Sequence, residues 1–193
     1  KRPILIVFAI SHYCEKARWA LDYLGIDYTL RPIAPGVHRN FAKKLGAPTS
    51  TLPILLFDTD TDKPADENFI QGSSAVISWA ECNKSAESLS LSPQENEQEA
   101  QAIEQRLDDI LGVHIRRYYY SEALVEYPQT VRPIFTRDLS LPAKLFTTAA
   151  WGMIRKLMIK GMDLGRSQGL ESRDLLSGEL DWLDQCLANG QSF

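Results

Sequence analysis

The chain has 193 residues, 44% of them hydrophobic and 24% charged, with a net charge of −4 and a pI near 5.4: a globular composition with room for one medium domain or two small ones. An acidic balance with scattered bases, the densest pair being Lys43-Lys44, argues against a nucleic-acid binder. The lack of any apolar run of roughly 18 residues argues against a transmembrane helix.

The residues before Ile4 are too few for a secretory signal. Three widely spaced cysteines, Cys14, Cys82 and Cys186, make no disulfide framework and fit a reducing cytoplasm. Ile4-Leu5-Ile6-Val7-Phe8, β-branched and aromatic, predicts a buried strand. From His12 the period becomes helical through Ala17, Leu21 and Leu24, and Gly25 is the stop. A strand is expected over Tyr28–Ile33, a helix from Gly36 to Leu45 ending at Gly46, and a strand over Leu52–Phe57. A polar turn follows over Asp58–Glu67, then a short strand at Phe69-Ile70 and a helix over Ser73–Glu81. The order is β-α-β-α-β-β-α.

Composition then shifts. Asn83–Ser92 is rich in Ser, Asn and Glu and reads as a linker. Ser92-Pro93-Gln94-Glu95 carries a helix-start signature, with a cap residue, a proline at the first helical position and an early acid. A long helix is expected from Pro93 to about Val125, with Ile103, Leu107, Ile110, Leu111 and His114 at helical spacing. Pro128 and Pro133 are expected to break the pattern, and further helices to cover Leu141–Leu164 and Ser172–Leu187. Alternation followed by helices alone predicts an α/β domain over 1–82, a linker over 83–92 and an all-α domain over 93–193.

Three places can carry chemistry. Ser11-His12-Tyr13-Cys14-Glu15-Lys16 lies where a buried strand hands over to a helix. That junction aims amide N–H groups and the positive end of the helix dipole at one point, and such a point stabilises a thiolate. A pKa lowered by two units corresponds to about 2.7 kcal/mol, enough to ionise most of a thiol at neutral pH. Ser11 is equally a plain helix cap. Thr51-Leu52-Pro53 puts a proline at the head of a strand, where a peptide laid alongside could pair with Leu52, and where an ordinary edge proline would also fit. Gln71-Gly72-Ser73-Ser74 opens a helix whose free N–H groups can hold a carboxylate or simply be capped.

Together, in this order and spacing, these motifs resemble the thioredoxin-like N-terminal domain of the cytosolic glutathione transferases. The run Ser11-His12-Tyr13-Cys14-Glu15-Lys16-Ala17-Arg18-Trp19-Ala20-Leu21 is similar to bacterial members. The resemblance is strong over about residues 4–82 and rests on helix pattern beyond. It implies an α/β thioredoxin-like domain plus an all-α domain, glutathione as co-substrate, a small hydrophobic electrophile, a homodimer, a cytoplasmic location and a role in detoxification. It implies that Ser11 hydrogen-bonds the glutathione sulfur, that the Leu52 backbone pairs with the cysteinyl part, that Pro53 is the family's cis-proline, and that Ser73 holds the γ-glutamyl carboxylate beside Gly72 and Ser74. His38 would border the glycine end.

The sequence departs from the family in three places. Gly72 stands where an acid or glutamine usually precedes the serine, with Gln71 one position early, and Thr51 replaces a basic residue. The family's helices also continue beyond the position of Phe193, so a sequence incomplete there, or a naturally short protein, is expected. Cys14 is the rival nucleophile, which would make the protein a glutathione-dependent thiol–disulfide reductase; a non-catalytic binding scaffold is the other alternative.

Among the remaining candidates, His12 is expected to face solvent and His114 to be a satisfied core or cleft residue. Only one or two of Tyr118-Tyr119-Tyr120 can face a single cleft. Trp151, Met153, Met158 and Met162 read as core. Asn83-Lys84-Ser85 is a chance glycosylation match. No spacing suits a metal.

Overall fold

A computed structural model describes residues 2–57, 68–91 and 97–188. The expected polar turn Asp58–Glu67, the helix-start signature Ser92–Glu95 and the tail Gln191–Phe193 lie outside the described residues. By density of contacts the chain divides into two compact units, Lys1–Leu91 with Ile134–Ala150 and Ser92–Pro133 with Trp151–Phe193.

The first unit begins with strand β1 (Ile4–Val7), helix α1 (His12–Tyr23), strand β2 (Thr29–Pro32) and helix α2 (Val37–Leu45). Strands β3 (Ile54–Leu56) and β4 (Phe69–Gln71) and helix α3 (Ser73–Asn83) follow. The sheet order is β2-β1-β3-β4. β2 runs parallel to β1, while β3 is antiparallel to β1 and β4 to β3. Continuous apolar runs, rather than alternating ones, suit strands covered on both faces. Leu5, Ile6, Val7, Ile54 and Leu55 are almost wholly buried and pack with Ala17, Leu21, Val76 and Ala80. The glycine stops act as read: Gly25 and Gly46 adopt positive φ of 69° and 73° just past α1 and α2.

After α3 the chain is tied down. The Glu81 carboxylate accepts from the Leu91 N–H, the Ser90 hydroxyl and the Lys84 ammonium.

The second part of the chain is helical. α4 (Glu97–Arg106) and α5 (Gly112–Tyr120) are joined by one π-helical segment, Leu107–Leu111, and followed by another, Ser121–Glu126. The single helix expected up to Val125 therefore ends at Glu126 but is widened twice. Gly112 N–H reaches back five residues to the Leu107 carbonyl, and Tyr127 N–H to that of Glu122.

Three expectations need correction. Pro128 and Pro133 do not end helical structure: α6 (Pro128–Thr136) starts at the first and contains the second. A proline at a helix start removes an N–H that had no partner, and one inside costs a single ladder bond. The helix expected over Leu141–Leu164 is two, α7 (Leu141–Ala149) and α8 (Trp151–Gly161), parted at Ala150, whose ψ is 4°. α9 (Arg166–Ala188) begins six residues before Ser172: Gly165 immediately precedes it and Gly169 lies inside it, close against the Ser121 side chain. Just before α9, Gly165 N–H donates to Ser121 Oγ at 3.3 Å.

Candidate functional site

The register of the sheet gathers the sequence-predicted residues at one end. Ile6 pairs with Ile54 and Ile54 with Gln71. The chain leaving β1 toward Ser11, the chain entering β3 through Leu52-Pro53 and the chain leaving β4 into Gly72-Ser73 therefore emerge side by side. The parallel strand β2 ends there too, since Val7 pairs with Pro32 and Ile33 N–H donates to the Val7 carbonyl. His38 follows from that end, its ring 4.7 Å from that of Phe8 in an edge-on contact.

Ser11 is the cap of α1. Its hydroxyl oxygen accepts the Cys14 N–H at 3.3 Å, and the residue is half-buried. Taking that N–H uses a lone pair of the oxygen; the hydroxyl proton remains a donor, for which the Cys14 sulfur and any bound ligand are the alternative acceptors. Cys14 is only 1% exposed and belongs to the hydrophobic core. Burial pushes its thiol up, outweighing the Ser11 hydrogen bond that acts the other way.

The Leu52–Pro53 peptide bond is cis, and both residues are buried. Among the described residues the main-chain N–H and C=O of Leu52 make no hydrogen bond. Pro53 instead uses its carbonyl, which accepts the Gly72 N–H at 2.9 Å. Gly72 caps α3 with φ 99°, a conformation that a side chain would strain. Ser73 is buried, and its hydroxyl has no hydrogen-bond partner among the described residues. Ser74 is exposed.

His38 is neutral over the physiological range, its pKa lowered to about 4 by burial and then by Arg39. Gly36 N–H donates to its Nδ1 at 3.1 Å, which puts the ring proton on Nε2. A neutral N–H donor therefore stands near the end of β2.

A residue that sequence reasoning misjudged lies between these segments. Gln71 Nε2 donates to the carbonyls of Thr49 at 2.9 Å and Thr51 at 2.8 Å, and Gln71 Oε1 accepts the Thr49 N–H at 3.4 Å. Its side chain braces the turn before Leu52. The legible signal was a long amide at the last position of a strand that pairs with the Leu-Pro strand.

A small pocket beside this end of the sheet is lined by Phe8, Ala9, Ile10, Pro32, Ile33 and Pro35 together with Phe135, Asp138 and Leu139. It does not include Ser11, Leu52 or Ser73. It is too small to stand for the site.

Other predicted residues are not brought to this place. His12 is exposed, though its ring lies 4.1 Å from that of Tyr13. His114, half-buried on α5, shares a hydrogen bond with Ser172 Oγ at 3.2 Å, Ser172 being fully buried. Tyr120 is buried and Tyr119 44% exposed, with their rings 5.4 Å apart in a tilted contact. Trp151 is buried, but Met153 is 60% exposed and so is not a core residue. On α8, Trp151 and Ile154 take the buried stripe and Met153 falls outside it. Among the described residues no His, Cys, Asp or Glu cluster could hold a metal, and no helix is long and apolar enough to cross a membrane.

Residues 5–88 match the model of the glutathione S-transferase N-terminal domain. No curated protein sequence matches the chain. Solved structures do. The β-etherase LigF from Sphingobium sp. strain SYK-6 is 12% identical with a TM-score of 0.61, the match covering 97% of this chain and 74% of that one. The glutathione transferase GSTFuA2 from Phanerochaete chrysosporium is 13% identical with a TM-score of 0.59, over 100% and 75%. The glutathione S-transferase CsGST63524 of Ceriporiopsis subvermispora, solved in complex with glutathione, is 14% identical with a TM-score of 0.58, over 100% and 76%. At such identities the likeness is one of fold, and it agrees with a four-stranded mixed sheet followed by helices. Residues 5–88 thus match the glutathione S-transferase N-terminal domain, and the chain is similar in fold to these transferases.

Proposed function

We propose that the chain binds glutathione in extended form and transfers its thiolate to a hydrophobic electrophile. Ser11 donates its hydroxyl proton to the sulfur, and the N-terminus of α1 adds the favourable end of its dipole. The thiol loses its proton to solvent. Its sulfur then attacks an electrophilic carbon, an S–C bond forms, and the leaving group departs with the bonding pair. The Leu52 main chain pairs with the cysteinyl residue, Ser73 and the α3 N-terminus hold the γ-glutamyl carboxylate, with Gly72 and Ser74 flanking, and His38 Nε2–H faces the glycine end. A cytoplasmic homodimer working in detoxification completes the reading, by family resemblance.

The observation that carries this reading is the main chain of Leu52, buried beside a cis-proline with its N–H and C=O uncommitted among the described residues. Backbone groups in that position are normally paired, so an extended peptide is the partner that fits. The buried thiol of Cys14, pushed up by desolvation, favours transfer over a reductase built on that cysteine. One feature favours the scaffold alternative: Gly72 offers no side chain to the glutathione amino group.

Titration with glutathione, following thiolate absorbance in the ultraviolet, tests both. Wild type is expected to bind and ionise the thiol near neutral pH. Ser11→Ala is expected to raise the apparent thiol pKa by about one unit and lower kcat/KM about tenfold. A folded wild type that binds no glutathione would establish the scaffold reading instead.

A further inference from the structure

We propose that Gln71 is a positioning residue for glutathione, holding the Leu52 main chain at the angle the tripeptide needs; this rests on the function proposed above. Gln71 ends β4 directly opposite Ile54, so its backbone belongs to the sheet while its side chain reaches past the end of β3. There the amide makes three bonds to one short turn, donating to the Thr49 and Thr51 carbonyls at 2.9 and 2.8 Å and accepting from the Thr49 N–H at 3.4 Å. The turn closes on itself as well, with Thr49 Oγ1 and Thr51 Oγ1 2.7 Å apart and the Thr51 N–H directed at Thr49 Oγ1 at 3.4 Å. One residue further along the chain, Gly72 N–H takes the Pro53 carbonyl at 2.9 Å. The consecutive residues Gln71, at the end of β4, and Gly72 thus grip both flanks of Leu52, Thr51 on one side and Pro53 on the other, and leave its own N–H and C=O untouched.

The chemistry of the side chain is specific to the task. Two carbonyl oxygens and one N–H converge on it, and a primary amide supplies two donors and an acceptor in one plane. The reversed amide would set its oxygen against two carbonyls, which fixes the orientation. A carboxylate in its place would repel both. Asparagine would fall one methylene short. Because the Thr51 carbonyl and the Leu52 N–H belong to the same peptide plane, turning that carbonyl turns the donor offered to glutathione.

The experiment compares wild type with Gln71→Leu and Gln71→Glu by calorimetry with glutathione, steady-state kinetics in both substrates, and thermal melting. Both variants are expected to raise the Kd and KM for glutathione about tenfold, the loss of roughly two hydrogen bonds. The KM for the electrophile and kcat at saturating glutathione should stay within about threefold. The Gln71→Glu to wild-type ratio of Kd should narrow at pH 5, where a protonated carboxyl regains a donor. Binding by the wild type that both variants leave untouched would overturn this inference alone. So would kcat and both KM values worsening together alongside a lowered Tm, which would mark general damage. A wild type that binds no glutathione would overturn the function and this inference with it.

Discussion

Ser11 and Cys14 stand one helical turn apart and are joined by a hydrogen bond, yet their surroundings give them opposite characters. The serine hydroxyl is half-buried at a helix N-terminus, and the thiol lies in the core with its pKa raised by desolvation. Cys82, near the end of α3, is exposed. Native protein treated with iodoacetamide at pH 8 is therefore expected to carry the label on Cys82 and to leave Cys14 unmodified until denaturant is added; mass spectrometry of the peptides decides it. Rapid labelling of Cys14 in the folded state would revive the reductase reading. At this scale the sequence was informative about type and poor about partners. A serine between strand and helix announces a cap, and the cap bond is present. A long amide at the end of β4 is legible, but its reach to Thr49 and Thr51 is not, because a hydrogen bond across the sheet depends on register, which local sequence does not encode.

Helix α9 holds two glycines that look alike in the sequence and differ in what surrounds them. A methyl group added at Gly169 would lie 2.8 Å from Ser121 Cβ, whereas one added at Gly178 meets nothing within 4 Å. Gly178→Ala is expected to stabilise the protein by about 0.5–1 kcal/mol through helix propensity. Gly169→Ala is expected to destabilise it by about 1–2 kcal/mol, the overpacking outweighing the same propensity gain. Chemical denaturation of the two variants checks both signs at once. The same contrast explains where element reading succeeded. Strands and helices up to Asn83 were legible within a residue or two because apolar runs and positive-φ glycines coincide with real boundaries, as at Gly25 and Gly46. Around Pro128, Pro133, Gly165 and Gly169 the usual breakers sit inside or at the start of helices. There tertiary packing, with Val131 and Phe135 buried on α6, overrides local preference.

At the scale of the whole molecule, three titratable groups push stability in one direction. His38 has a pKa lowered from 6.5 to about 4, so the unfolded chain binds its proton first as pH falls, and stability rises with pH across that window. Because the ring is partly exposed, its share is on the order of 1 kcal/mol after solvent screening. Glu81 and Glu179 have lowered pKa values. In Glu81 burial acts upward but is outweighed by the Leu91 N–H, Lys84 and Ser90; in Glu179 the Arg106 guanidinium dominates. Their contributions are present above the ordinary carboxylate pKa and fade as pH falls below it. Tm is therefore expected to drop in two stages, first between pH 6.5 and about 4 and then more steeply. His38→Asn should flatten the first stage and leave the second. A wild-type Tm unchanged between pH 7 and 5 would contradict the environment described for His38. Architecture was legible at this scale because alternation gives way to helices near residue 83, while Ile134–Ala150 groups with the first unit through contacts that no composition shift marks.

The two widened turns at Leu107–Leu111 and Ser121–Glu126 carry a consequence for the long helix that holds them. Each lodges an extra residue in its loop of backbone, so the stripes of side chains before and after it are out of phase. Ile103, Leu107, Ile110, Leu111 and His114, evenly spaced on paper, do not line up as one seam, and none of them is fully buried. The carbonyls that such a turn loosens are taken up by Arg155, whose guanidinium donates to those of Leu124 and Val125. One arginine thereby latches α8 to the irregular stretch, and the helix keeps its length while its faces are dealt out anew.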